Sequence, residues 1–152
     1  MCSGARDYEC WNAVTFDGHV GAKRLNGAVL SAIELEQNGH LALMRVDEAM
    51  VARAGGTYDD TEGLINLPLT VKEIQASVFF KALSASSYRV SLRSKGAIDV
   101  ASVAKRFGGG GHRNAAGCTV PGDYATARAA VLEAIAPVLA SGLAEAEASP
   151  PA

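Results

Sequence analysis

Histidine is scarce in this 152-residue chain, with three copies at His19, His40 and His112. None stands at His-x-x-x-His or His-Glu spacing, and no Asp-x-Asp pair accompanies them. Local pattern therefore assembles no divalent metal site, which needs several converging oxygen or nitrogen ligands. Cysteine is equally sparse. Cys2, Cys10 and Cys118 are odd in number and far apart, which fits reduced thiols in a cytosol rather than a disulfide framework. Charge excess is lacking too. Fourteen Lys and Arg against sixteen Asp and Glu leave a net charge of −2. That argues against tight, sequence-independent binding to long duplex DNA, which takes many phosphate contacts. A local basic pocket for one or two phosphates is still allowed. No apolar run of membrane-spanning length is visible. The first residues carry no signal-peptide apolar region. There is no internal repeat, and no local context suggests a Ser-His-Asp set. A cytoplasmic protein with no membrane partner is the resulting expectation.

What the chain does have is a hydrophobic share of 49%, enough for the core of one domain. It also has one unusual run of glycine, Gly108-Gly109-Gly110-Gly111, followed by His112-Arg113-Asn114 and the small residues Ala115-Ala116-Gly117. Glycine gives up more backbone entropy on folding than any other residue. Four in a row are costly unless bare backbone must approach something closely. The three polar side chains that follow all donate hydrogen bonds. Exposed backbone N–H groups with cationic donors at a helix start suit a phosphate or another anion. The bland alternative is a helix-terminating loop, for which one glycine suffices. The run is not a Walker loop, because no Gly-Lys-Ser/Thr follows. Nor is it a dinucleotide fingerprint, because a helical pattern precedes it.

In chain order, residues 1 to about 19 show no clear period, with a turn at Asp17-Gly18-His19 and large apolar groups at Trp11 and Phe16. Val20 to Leu30 reads as a short helix or connector. Ala32 to Glu36 alternates as a half-buried strand does, and Asn38-Gly39 signals a hairpin into His40–Val46. Asp47 caps a helix that stops at Gly55-Gly56. Asp59-Asp60-Thr61 offers a second cap, with Pro68 ending the element that follows. The acidic cluster of Asp59, Asp60 and Glu62 reads as capping before it reads as a metal site. Ile74–Leu83 has the composition of a central strand. Tyr88–Ser94 alternates, with Tyr88, Val90 and Leu92 facing one way and Arg89, Ser91 and Arg93 the other. Asp99 caps a helix striped by Val100, Val103, Ala104 and Phe107. Cys118–Val120 is a short strand, with Cys118 a small buried hydrophobe. Asp123 caps a last helix striped by Ala127, Ala130, Val131, Ala134, Ile135 and Val138, fraying from about Ser141. His19 and His40 are taken as surface residues. The expected architecture is an α/β single domain with one mixed sheet of about five strands flanked by helices.

The strand–turn–helix–loop between Arg93 and Arg113 is of a length that brings Arg93 and Lys95 towards His112 and Arg113. Arginine suits phosphate because its planar fork donates bidentately. The alternative for Arg93 and Lys95 is a solvated sheet edge. His112 would add a ring N–H donor beside a phosphate.

At these residues the sequence resembles the DHH-associated domain. This is the C-terminal domain of DHH-family phosphoesterases such as RecJ-like exonucleases and the oligoribonuclease/pAp-phosphatase (nanoRNase) group. The resemblance rests on Gly108–His112 with Ala115-Ala116-Gly117, on Asp60–Asn66, on Val90–Lys95 with Asp99-Val100-Ala101, and on Val29–Val46. It covers about residues 25 to 140 and is closest to the oligoribonuclease/pAp-phosphatase branch. It implies residues 1–24 as a weakly structured linker remnant, 25–140 as a substrate-binding domain and 141–152 as a flexible tail. It further implies that Arg93, Lys95, Gly109, Gly110, Gly111, His112 and Arg113 grip the phosphate end of short single-stranded oligonucleotides or nucleotide phosphates. Asn114 flanks that grip. The family's catalytic metals, usually manganese, are held by an N-terminal DHH domain that this sequence lacks. This chain would then carry no cofactor and no catalytic residue of its own. The alternatives are half of a split manganese-dependent phosphoesterase completed by a DHH-domain partner, or a structural or dimerising domain with no ligand.

Overall fold

The computed structural model describes residues 20–148. The expected turn at Asp17-Gly18-His19, and the readings of Trp11, Phe16, Cys2 and Cys10, lie outside the described residues. Six strands form one mixed sheet: β1 Glu34–Glu36, β2 Leu41–Val46, β3 Ala76–Ser84, β4 Ser87–Ser94, β5 Gly110–His112 and β6 Ala115–Pro121. Their order across the sheet is β1-β2-β3-β4-β6-β5. Neighbours are antiparallel except β2 and β3. The sixth strand, beyond the five expected, is the second half of the glycine run itself.

Helix α1 spans 20–31, the stretch that reads as helix or connector from sequence. Helix α2, Glu48–Ala54, is capped by Asp47, whose carboxylate accepts from Met50 N at 2.9 Å, and it stops at Gly55. Three 3-10 turns follow, at Tyr58–Thr61, Leu64–Asn66 and Pro68–Thr70. The first departs from expectation in detail. Thr57, not Asp59, is the N-cap, and Asp60 reaches back to accept from Thr57 N at 2.7 Å, which completes a capping box. Pro68 opens the third turn rather than closing the second, because a first helical position loses nothing when the N–H is missing. Helix α3 is Val100–Arg106, capped by Asp99 through Ala101 N at 3.1 Å.

Helix α4 runs from Tyr124 to Ala148, past the expected fraying point at Ser141. It also corrects the expectation that no apolar run reaches membrane-spanning length. Its 25 residues, with a mean hydropathy of 1.5 over the best window, meet that criterion by length and composition. Alanine raises the value, while Ala127, Val131, Ala134, Ile135, Leu139 and Gly142 pack inward.

The sheet has two unequal faces. One carries Leu43, Val78, Phe80, Val90, Leu92, Ala116 and Val120, and packs on α3 and α4 as the main core. On the other, Met44, Val46 and Phe79 meet Leu25 and Val29 of α1 and Leu64 and Ile65 of the second 3-10 turn. Each large side chain buried this way contributes about 1.5–3 kcal/mol. Among the described residues, α1 and the 3-10 turns pack on the β2–β3 end of this second face, and no element packs over its β4–β6–β5 end.

β1 inverts a sequence expectation. Its apolar member, Leu35, is 56% exposed, whereas Glu34 and Glu36 turn towards α4. Arg128 donates to Glu34 Oε2 at 2.9 Å and also pairs with Glu36, and the Tyr124 hydroxyl donates to Glu34 at 3.3 Å. Inward-facing charge is one way in which a sheet edge avoids pairing with another chain.

Candidate phosphate-binding face

Three of the four glycines owe their place to this chain's own fold. Gly108 ends α3 with φ of 79°, and the next amide, Gly109 N–H, donates back to Ala104 O at 2.9 Å, which closes the helix C-terminus. Gly109 lies so close to β6 that a Cβ on it would meet Gly117 O at 2.2 Å. A Cβ on Gly111, where φ is 146°, would meet Ala115 O at 2.5 Å. The close approach that the glycine run implies is thus made, at two positions, to a neighbouring strand. Gly110 is different. Its φ is ordinary, and nothing lies within 4 Å of where its Cβ would be.

The register explains why that space is open. Gly110 pairs with Gly117, Gly117 with Ser91, and Ser91 with Phe79. This cross-strand row shrinks from a buried ring to no side chain at all as it leaves the covered half of the sheet. On one side of it runs Lys81–Arg89–Thr119 and on the other Ser77–Arg93–Ala115–His112. All three rows share the open face, since directly paired residues point the same way. A floor of bare backbone therefore lies between two cationic rows. Arg89, Ser91, Arg93, Gly110, Gly111 and Gly117 line a shallow concavity of about 260 Å³ there.

Not every candidate residue joins it. Arg93 does, with one guanidinium N–H folded onto Leu92 O at 2.9 Å. His112 closes its row at the exposed edge of the sheet. Lys95 does not. Its ammonium donates to Val71 O at 3.0 Å, on the loop after the third 3-10 turn. Arg113 is exposed in the two-residue turn between β5 and β6, outside the lining. That turn also corrects the expected helix start after the glycines. His112 pairs with Ala115 and the chain reverses at once into β6.

Asn114 is a brace. Its Nδ2 donates to Ser94 Oγ at 2.9 Å and Gly96 O at 3.2 Å, while Ser94 Oγ donates to Ile98 O at 2.6 Å. This network ties the end of β4 to the hairpin and fixes Arg93 beside Gly110. His40, expected on the surface, is half-buried with its Nδ1 3.0 Å from Glu73 O.

Arg89 and Lys81 are the residues that sequence reading left out of the site. The signal for Arg89 was present, because it alternates in phase with Arg93. Lys81 carried none, since only the β3–β4 register places it opposite Arg89.

Cys118 is no nucleophile. Burial pushes its thiol up to about 11, so it stays protonated at neutral pH. No cluster of three or more His, Cys, Asp or Glu able to hold a metal ion exists among the described residues.

This face of the α/β sheet thus joins a small-residue floor to the flanking cations Arg89 and Arg93. Residues 40–141 match the DHHA1 domain, and the chain belongs to that family. It is 34% identical over 113 residues to the bifunctional oligoribonuclease and PAP phosphatase NrnA of Thermus thermophilus, a match over 74% of this chain and 33% of that protein. It is 29% identical over 94 residues to a probable NrnA of Streptococcus mutans, over 62% of this chain and 30% of that one. The chain thus spans about a third of the length of these curated relatives. Among solved structures, an exopolyphosphatase-related protein from Bacteroides fragilis superposes with TM-score 0.69 at 29% identity, over 76% of this chain and 34% of that one. A pGpG-specific phosphodiesterase from Vibrio cholerae shares the fold, with TM-score 0.57 at 13% identity over 84% and 42% of the two chains.

Proposed function

We propose that this chain is the substrate-gripping domain of a DHH-family phosphoesterase of the oligoribonuclease/pAp-phosphatase type, working in the cytoplasm. In this reading it holds the phosphate end of a short single-stranded oligonucleotide on the Gly110–Gly117 floor. Arg93 supplies the charge, with His112 at the rim. Backbone groups on a floor without side chains let a phosphate come close, and a guanidinium donates to it bidentately. The supporting observation is the juxtaposition of Arg93 with the one glycine of the run of four that has no internal reason to be glycine. Lys95, His112 and Arg113 all lie outside the lining of the concavity, so in this reading Arg93 carries most of the grip. Gly111 lines the concavity beside Gly110, and Gly109 shapes the floor by packing on β6.

The domain is expected to bind a 5′-phosphorylated dinucleotide with a salt-sensitive affinity, measured by titration at two ionic strengths. The Arg93→Ala/His112→Ala double variant should bind at least about tenfold more weakly, the loss of about 1.4 kcal/mol or more that one charged contact supplies. Equal affinity in variant and wild type would sink the reading. A second reading is favoured by the span of about a third of the curated relatives. In it, bond cleavage needs a metal-bearing DHH domain, with this chain contributing orientation alone.

A further inference from the structure

The open face carries more positive charge than one phosphate needs. Lys81 and Arg89 sit directly opposite each other on β3 and β4, where like charges repel. Arg89 is exposed, and no packing requires a cation there. No carboxylate lies within ion-pairing distance of Lys81, Arg89 or Arg93 among the described residues; the ion pairs found there join Arg128 to Glu34 and Glu36. The Lys81 ammonium leans over the Phe79 ring at 5.4 Å, towards the neutral row. Lys81, Arg89 and Arg93 also line a larger hollow of about 600 Å³, whose far wall is Tyr58, Asp59 and Glu62. Arg89, Ser91 and Arg93 are common to this hollow and to the concavity over Gly110.

Arg89 and Arg93 lie four positions apart on β4, about 13 Å of strand, with the Ser91–Gly117–Gly110 row between them. One phosphate rests against one row. A ligand that engages both must carry a second anionic group on the far side of a sugar. We propose that Lys81 and Arg89 form a second phosphate subsite, one nucleotide unit away from Arg93 and Gly110. The inference rests on the phosphate-gripping reading above. The repulsion between Lys81 and Arg89 is relieved when an anion lies between them. Asp59 and Glu62 repel that anion from the opposite wall and keep it on the sheet.

The test titrates the 152-residue chain with a 5′-mononucleotide, a nucleoside 3′,5′-bisphosphate and a 5′-phosphorylated dinucleotide of the same base. Wild type should bind the last two about tenfold more tightly than the mononucleotide, as one added charge-assisted contact gives. Lys81→Ala/Arg89→Ser should lose the tenfold gain, so that the bisphosphate and the dinucleotide bind this variant no more tightly than the mononucleotide does. Its slope of log affinity against log salt for the dinucleotide should fall by about 1.4, at about 0.7 per cation on a single strand. Arg89→Gln alone, an exposed single change, should lose part of the gain and guards against a folding defect in the double variant. A double variant that keeps the gain, or a gain confined to the dinucleotide and so owed to its second base, overturns the subsite. A wild type that binds none of the three ligands overturns the phosphate grip itself.

Discussion

Among single residues, the four glycines separate cleanly by what a methyl group would do. Gly110→Ala places its Cβ in open space. Removing backbone freedom from the unfolded chain should leave stability unchanged or raise it by up to about 1 kcal/mol. A ligand seated on that floor would nonetheless lose contact, so dinucleotide affinity should drop at least about tenfold. Gly109→Ala forces a Cβ against backbone at Gly117 O and should cost about 1–3 kcal/mol, the usual penalty of overpacking. Thermal melting with and without dinucleotide separates the two. A Gly110→Ala protein that binds as wild type does would mean the floor is not a binding surface. The sequence could not make this division, because the glycines are identical in it and only the partner strand distinguishes them. Asn114 was legible as polar and adjacent to the grip. That it braces Ser94 and the Gly96 and Ile98 carbonyls follows from contacts 16 to 20 positions away in the chain.

At the level of elements, local patterns were read well where local physics sets them. The caps at Asp47 and Asp99, the hairpin at Asn38-Gly39 and the alternation of β4 depend on neighbours a few residues apart. β1 shows the limit. Its alternation was visible, yet its glutamates face inward because Arg128, over ninety positions later, meets them. Arg45 also stands over the Tyr124 ring at 4.6 Å, so α4 holds both β1 and β2. Arg128→Ala should therefore loosen one edge, not the whole domain. Such a partly exposed pair is worth about 1 kcal/mol at most. Amide exchange at Glu34–Glu36 should quicken, while β3 and β4 amides keep their protection. Uniform acceleration across the sheet would contradict this account of the edge.

For the molecule as a whole, the DHHA1 match and the span of about a third of longer relatives underlie the proposed division of labour. Alone, the chain is expected to release no mononucleotide from an oligoribonucleotide, with or without manganese. Mixing or fusing it with a DHH domain of the same branch should restore manganese-dependent release. That activity should fall with Arg93→Ala through KM more than through kcat, because gripping contacts act on substrate and transition state alike. Release by the chain by itself would refute the division of labour.

The order of β1 to β4 and of α2 to α4, the caps at Asp47 and Asp99, and the family were legible in the sequence alone. Each rests on residue types and on spacings of a few positions. Which glycine is bare floor, that Lys95 turns to Val71, and that Lys81 and Arg89 share a face with Arg93 were decided only by tertiary structure. Cross-strand register and the incomplete cover of one sheet face are properties of segments far apart in the chain, and no local spacing encodes them.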